Sequence, residues 1–187
     1  MGFRIIQKSD HIVMPWKNGQ GSTSQIDIVP AGARFPEGDF LWRFSSARVE
    51  ASGPFSLFPG CDRLLVVLNG QGLSLNGKTM GPFTSFQFSG EESIQADLLQ
   101  DAVVDLGLIY RRDKVQAEMS VVQIPAMASQ KISATSGSAY VYCVSGEVNC
   151  EKQVLTEGDS CFVENTNLVA CCAGTSALII LIKIQNI

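Results

Sequence analysis

Arg43 and Arg63 are the residues of this 187-residue chain that most require a chemical explanation. Arg43 stands between Trp42 and Phe44, and Arg63 opens the apolar run Leu64-Leu65-Val66-Val67-Leu68. A charged side chain inside an apolar strand is costly unless it is paired. Arg43 therefore has two readings. It forms a structural ion pair, with Asp62 or Asp105, or turns outward. Alternatively it points into a barrel mouth and grips a carboxylate through its planar fork of donors. Ser45 shares its strand face. Arg63 is either a second anion contact or a rim residue paired with Asp62. Lys17-Asn18-Gly19 follows Pro15-Trp16. Asn-Gly is a turn signal, so the plain reading is a tight turn. The functional reading adds an amide from Asn18 and a positive charge from Lys17 beside a rigid Trp16. Thr23 and Gln25 follow at alternate positions and line the same face.

Other chemistries lack their parts. His11 is the single histidine, so a site with about three imidazoles is excluded, and the acidic residues show no spaced calcium-loop pattern. Metal is expected to be absent, and no cofactor is implied. Ser-His-Asp or Cys-His catalysis would have to use His11, and no GxSxG occurs. No GxGxxG or GxxxxGK[ST] is present to cradle phosphates. The six cysteines, Cys61, Cys143, Cys150, Cys161, Cys171 and Cys172, form no CxxC pair, and they read as reduced, buried, small apolar residues.

Composition narrows the class. Hydrophobic residues make up 45% and charged residues 17%, against about 25% charged in an average chain. Disorder is excluded. The net charge of −4 argues against a basic nucleic-acid surface. The apolar stretch 177–184, interrupted by Lys183, is far short of the ~20 residues of a membrane helix. No signal-peptide pattern opens the chain, and the expectation is a cytoplasmic protein with neither nucleic-acid nor membrane partners.

The elements that must position these residues are strands. The segment 40–45 alternates, with Phe40, Trp42 and Phe44 on one face and Arg43 and Ser45 on the other. The run 64–68 ends at Asn69-Gly70, 140–144 stops before Gly146, and Leu178 to Ile184 forms a last strong strand. Phe86 and Phe88 share a face. Segment 97–108 is the most ambiguous and reads as extended. A shift of 76 positions sets Gly70 on Gly146, 64–68 on 140–144 and Phe86 on Phe162. Two similar all-β units in one chain suggest a double barrel or sandwich.

Several motifs are more specific. Met14-Pro15-Trp16-Lys17-Asn18-Gly19, Trp42-Arg43-Phe44-Ser45, Gly53-Pro54-Phe55-Ser56-Leu57-Phe58-Pro59-Gly60, Asp62-Arg63, Asn69-Gly70-Gln71-Gly72, Phe88-Ser89-Gly90-Glu91 and Asp105 before Arg111-Arg112 occur in this order. The set resembles the HutD/Ves family over about residues 5–185. Ser145-Gly146-Glu147 with Leu155-Thr156-Glu157-Gly158-Asp159 resembles the cupin pattern. Gln20 and Gly107 depart from the family pattern, which shows a glycine and an asparagine there. The resemblance implies an all-β bicupin, with two cupin-like jelly-roll barrels in one compact chain. The halves are 1–112, carrying the motifs, and 113–187. It also implies a link to histidine utilisation.

The reading that combines these points is a metal-independent small-molecule binding protein. It would recognise a carboxylate metabolite and act in or regulate histidine utilisation. Lys17, Asn18, Arg43, Ser45 and Arg63 are the ligand-binding candidates, supported by Trp16, Thr23, Gln25, Asp62 and Asp105. Two alternatives stand beside it. One is a metal-free cupin enzyme, an isomerase or hydrolase, using Lys17 or Asp62. The other is a homodimeric interaction module.

Overall fold

Alternation of large apolar with small or polar residues turns this chain into strands almost throughout. The computed structural model describes residues 2–166 and 174–187 in full and 167–172 by backbone pairing alone. In chain order the strands are β1 (Gly2–Ile6), β2 (Ile12–Pro15), β3 (Gly21–Val29), β4 (Trp42–Val49), β5 (Gly53–Pro54), β6 (Cys61–Asn69), β7 (Leu73–Leu75), β8 (Lys78–Met80) and β9 (Ser85–Ser89). They continue as β10 (Gln95–Leu98), β11 (Val103–Arg111), β12 (Val115–Ile124), β13 (Ser129–Ser145), β14 (Val148–Cys150), β15 (Gln153–Leu155), β16 (Ser160–Cys172) and β17 (Ala177–Asn186). The fold is all-β. Among the described residues the only helical element is a single 3-10 turn at Lys8–Asp10, and no helix is long and apolar enough to cross a membrane. The ambiguous segment 97–108 is extended, split between β10 and β11.

The chain divides into two units, residues 11–115 and residues 1–10 with 116–187. Strand β1 pairs antiparallel with β16, inside the unit formed by residues 1–10 with 116–187.

The unit 11–115 holds a six-stranded sheet in the order β2-β3-β4-β11-β6-β9 and a four-stranded sheet in the order β5-β10-β7-β8. Leu65 and Val67 of the first and Leu73, Leu75 and Ala96 of the second share one apolar cluster with Phe88 and Met80. Gly70 turns the chain after β6 at φ +99, where an added Cβ would strike Val103 and the Ala102 carbonyl, so the Asn69-Gly70 turn requires glycine.

The other unit holds a seven-stranded sheet in the order β12-β17-β13-β16-β14-β15, with β1 beside β16. Its cluster includes Ala139, Val141 and Cys143 of β13, Cys161 and Val163 of β16, and Ile179 and Leu181 of β17.

The internal repeat is carried by the strands themselves. A shift of 76 residues moves β4, β6, β7, β8, β9 and β11 onto β12, β13, β14, β15, β16 and β17. The pairing order β4-β11-β6-β9 becomes β12-β17-β13-β16. Even the short β5–β10 pairing repeats: Gly53↔Ala96 and Pro54↔Gln95 become Ser129↔Cys172 and Gln130↔Cys171. Strand pairing closes no sheet into a barrel among the described residues.

Cys61, Cys143, Cys150 and Cys161 are free and buried, and burial, reinforced by nearby acidic side chains, pushes the Cys143 thiol up to about 11. They pack as small apolar groups. The side chains of Cys171 and Cys172 lie outside the described residues.

Candidate functional site

Register in the six-stranded sheet brings the candidate residues together. Three successive rungs run across it. The first is Ile28–Arg43–Ile109–Arg63–Phe88, and the second is Gln25–Ser45–Gly107–Leu65–Phe86. The third is Thr23–Ala47–Asp105–Val67. Members of these rungs are two residues apart along each strand, apart from a register shift in β3, so they face the same side of the sheet. A cavity of about 230 Å³ opens on that face, lined by Trp16, Thr23, Arg43, Ser45, Arg63 and Asp105, with Phe55, Phe58 and Gly107 also on its wall.

Arg43 is 8% exposed. Its guanidinium lies 4.6 Å above the Phe35 ring and Nε donates to Gln25 Oε1 at 2.9 Å. The ion pair expected with Asp62 or Asp105 does not form; a neutral amide takes its place. Burial lowers the Arg43 pKa from its ordinary value. Arg63 is enclosed by three rings, Phe55 at 4.8 Å, Phe58 at 5.4 Å and Phe88 at 4.9 Å, and Nη1 donates to the Ser56 carbonyl at 3.3 Å. Burial pulls its pKa down to about 10, opposed by the charge of Asp105, so it remains cationic at neutral pH. The rings offer cation–π attraction and keep water away.

Asp105 is 5% exposed. A register shift between Val104 and Asp105 interrupts the ladder there, and Asp105 Oδ1 accepts the Ala47 N–H at 3.2 Å. Burial pushes its carboxyl up to about 7, while Arg63 and the Ala47 amide pull the other way. The ion pairs among the described residues include neither Arg43, Arg63 nor Asp105.

Trp16 donates Nε1–H to Thr23 Oγ1 at 2.8 Å, which fixes the indole at the cavity wall. A second cavity of about 390 Å³ adjoins and shares Trp16, Val49, Phe55 and Ser56 with the first; Lys17 and Asn18 line this one. The four residues Arg43, Arg63, Lys17 and Asn18 therefore occupy two neighbouring cavities instead of the single one expected. Asn18 is engaged in its own turn, giving Nδ2–H to Gln20 Oε1 at 3.2 Å and accepting the Gln20 amide at 3.1 Å. Asp62 lines neither cavity and pairs with Arg112 at 3.0 Å. The rim pair anticipated for Arg63 is thus made by Arg112. His11 also lines neither cavity.

Arg112 acts as a clamp. Besides Asp62 it donates to Glu91, to Ser89 Oγ and to the Cys61 carbonyl. Glu91 Oε1 accepts the Gly60 amide at 2.6 Å, and the Phe58 amide is held by the Gly90 carbonyl at 2.8 Å. Hydrogen bonds from Ser89, Gly60 and Arg112 hold the Glu91 carboxyl down at about 2. This network fixes the 58–61 loop, and with it the Phe58 ring over Arg63.

The aromatic enclosure of Arg63 and the open floor at Gly107 are features of the candidate site that residue types alone do not reveal. Phe88 had a usable signal, since it shares a face with Phe86 and falls opposite Arg63. Phe55 and Phe58 sit in the segment 53–60, whose Gly-Pro and Pro-Gly pairs signal turns and not a cation site. Among the described residues no group of three or more His, Cys, Asp or Glu side chains could hold a metal ion.

Comparison with known proteins bears on the chain as a whole. A family model described as HutD matches residues 8–180. An uncharacterized 21.2 kDa protein in the hutC 3' region of Pseudomonas putida is 36% identical over 121 residues, 62% of each chain. The chain thus spans less than two thirds of that relative's length. Protein Ves of Citrobacter koseri is 32% identical over 149 residues, 75% of this chain and 72% of the relative. The solved structure of HutD from Pseudomonas fluorescens SBW25, obtained in a formate condition, is similar with a TM-score of 0.84 at 28% identity, covering 100% of both chains. A cupin 2 conserved barrel domain protein from Leptotrichia buccalis is similar in fold alone, with a TM-score of 0.58 at 12% identity over 92% of each chain.

Proposed function

The chain belongs to the HutD family, and from that premise we propose that it is a metal-independent binding protein for a small carboxylate metabolite, acting in or regulating histidine utilisation. A relative belongs to the hutC 3' region of Pseudomonas putida, and the chemistry of the site is compatible with that association. The observation that carries the reading is Arg43: a buried cation on the wall of a cavity, held by a neutral amide and an aromatic ring, with no acidic partner. A buried charge without a counter-ion is expensive. An anionic ligand supplies the counter-ion, and Arg63 in the same cavity supplies a second donor fork. The cavity's volume, about 230 Å³, falls below the roughly 300–1,000 Å³ of drug-sized pockets, which suits a small metabolite. The 76-residue repeat of strands and pairing supports the bicupin reading of the fold, and a cytoplasmic site of action belongs to the same proposal.

Thermal-shift and calorimetric titration with urocanate, formylglutamate and related acids tests this. A ligand at about 100 times its Kd stabilises the folded state by about 2.7 kcal/mol. The melting temperature should rise with at least one acid at millimolar concentration, and Arg43→Ala or Arg63→Ala should remove the rise. No stabilisation by any of these acids would overturn the reading.

A metal-free isomerase or hydrolase is favoured by one observation, the carboxyl of Asp105 poised near neutrality inside the cavity. In that reading Asp105 is the acid–base group in place of Lys17 or Asp62. Turnover of a bound acid, lost in Asp105→Asn while binding survives, would establish it.

A further inference from the structure

The cavity's charges are separated along the strands. Arg43 and Arg63 stand on the first rung and Asp105 on the third. Ile109, on the arginine rung, and Asp105 are four residues apart on β11, about 13 Å between Cα atoms at roughly 3.3 Å per residue. The rung between them carries Ser45 and Gly107. Gly107 leaves the floor open, since a Cβ there would meet only the Leu64 carbonyl at 3.4 Å and Leu65 Cδ1 at 3.5 Å.

Asp105 is the feature that a plain carboxylate ligand leaves unexplained. It is almost fully buried, lines the cavity, and receives one backbone N–H on Oδ1. It makes no ion pair with Arg63 among the described residues. The Arg63 guanidinium lies against three rings and gives Nη1 to the Ser56 carbonyl, which leaves other N–H donors of its fork for a ligand. A ligand bearing only a carboxylate would be drawn to the arginines and would present an anion or an apolar tail to Asp105. An apolar tail would cover the second carboxyl oxygen of Asp105 without giving it a partner, and a second anion would make ionising that carboxyl still more costly.

We infer that the ligand is amphoteric: a small acid whose carboxylate sits on Arg43 and Arg63 and whose other end carries an N–H donor that Asp105 accepts. Asp105 is then a specificity-determining residue and Gly107 gives the ligand's middle its room. Sites built to hydrogen-bond a ligand's N–H or O–H reject analogues that lack it far more strongly than apolar pockets reject a missing methylene. This inference rests on the binding function proposed above and narrows its ligand class.

Calorimetric titration of the full chain with imidazolepropionate and with phenylpropionate separates the two. The acids share a carboxylate, a two-carbon spacer and an aromatic ring, and only the first has a ring N–H. The expected result is at least about tenfold tighter binding of imidazolepropionate, with the preference falling towards unity in Asp105→Asn and both affinities falling in Arg43→Ala. Equal binding of the two acids to the unaltered chain, or a preference that survives in folded Asp105→Asn, overturns the amphoteric ligand and leaves the carboxylate-binding function standing. Binding of neither acid also overturns the amphoteric ligand, and the carboxylate-binding function is then decided by the wider set of acids above. Should Asp105→Asn fail to fold, the ratio of affinities in the unaltered chain decides alone.

Discussion

Asp105 links stability to pH at the scale of a single residue. The folded chain keeps its proton up to about pH 7, whereas an unfolded chain releases it near 3.8. Between those values folding takes up a proton, so the side chain weakens the fold progressively as pH rises through the interval, and the full cost is present above about pH 7. Asp105→Asn abolishes the titration and keeps an acceptor for the Ala47 amide. Urea denaturation should find the variant more stable than the parent at about pH 8, by up to about 4 kcal/mol, with the difference shrinking towards pH 4. A difference that does not change with pH would show that the carboxyl is not held in a low-dielectric site. Arg63 behaves oppositely: even with burial pulling it down to about 10, it keeps its charge throughout that range, so the cavity gains positive character as Asp105 protonates.

At the scale of the element, β11 forms the floor of the site. It pairs with β4 on one side and β6 on the other, so its side chains lie between the two arginines. Leu106, Leu108 and Tyr110 face away and are buried, while Asp105, Gly107 and Ile109 face the cavity. Glycine inside a strand ordinarily weakens it; here it supplies volume. Gly107→Val should retain the fold, because its Cβ meets only ordinary contacts and valine suits a strand. Its methyl groups should fill the space between the rungs and weaken carboxylate binding at least about tenfold, at a stability change within about 1 kcal/mol. Denaturation and calorimetry on the same sample check both halves. Undiminished affinity would place the ligand elsewhere than over the middle rung.

For the whole molecule, the 76-residue repeat has one polar copy and one apolar copy. The position equivalent to Arg63 is Ala139, which is fully buried beside Val141 and Cys143. The face that holds the cavity in residues 11–115 is filled in the other unit by Ile179, Leu181, Cys161 and Val163. Ala139→Arg, which restores the arginine of the first copy, would bury a cation with neither aromatic enclosure nor acceptor. It should lower the unfolding free energy by several kcal/mol as measured by chemical denaturation. Tolerance of this change would mean that the second unit retains a site of its own.

Much of this was written in local sequence. Period-two alternation put Trp42 and Phe44 on one face and Arg43 and Ser45 on the other, and the Asn69-Gly70 turn, the repeat and the family motifs followed from residue types and spacing. The prominence of Arg43 and Arg63 also followed, because an isolated charge in an apolar run is legible without coordinates. Their partners were not. Alternation says which residues share a face but leaves open which strands become neighbours and in what register, since that depends on pairings between residues far apart in the chain. Register decided that Asp105, and not Asp62, shares the cavity with Arg63, and that Asp62 meets Arg112. It also set Gly107 between the charged rungs. The paths of the loops after β2 and β5 decided the rest, carrying Lys17 and Asn18 into an adjoining cavity and bringing Phe55 and Phe58 over a guanidinium. Residue chemistry is a local property of the chain, whereas enclosure and pairing exist only once distant strands have met.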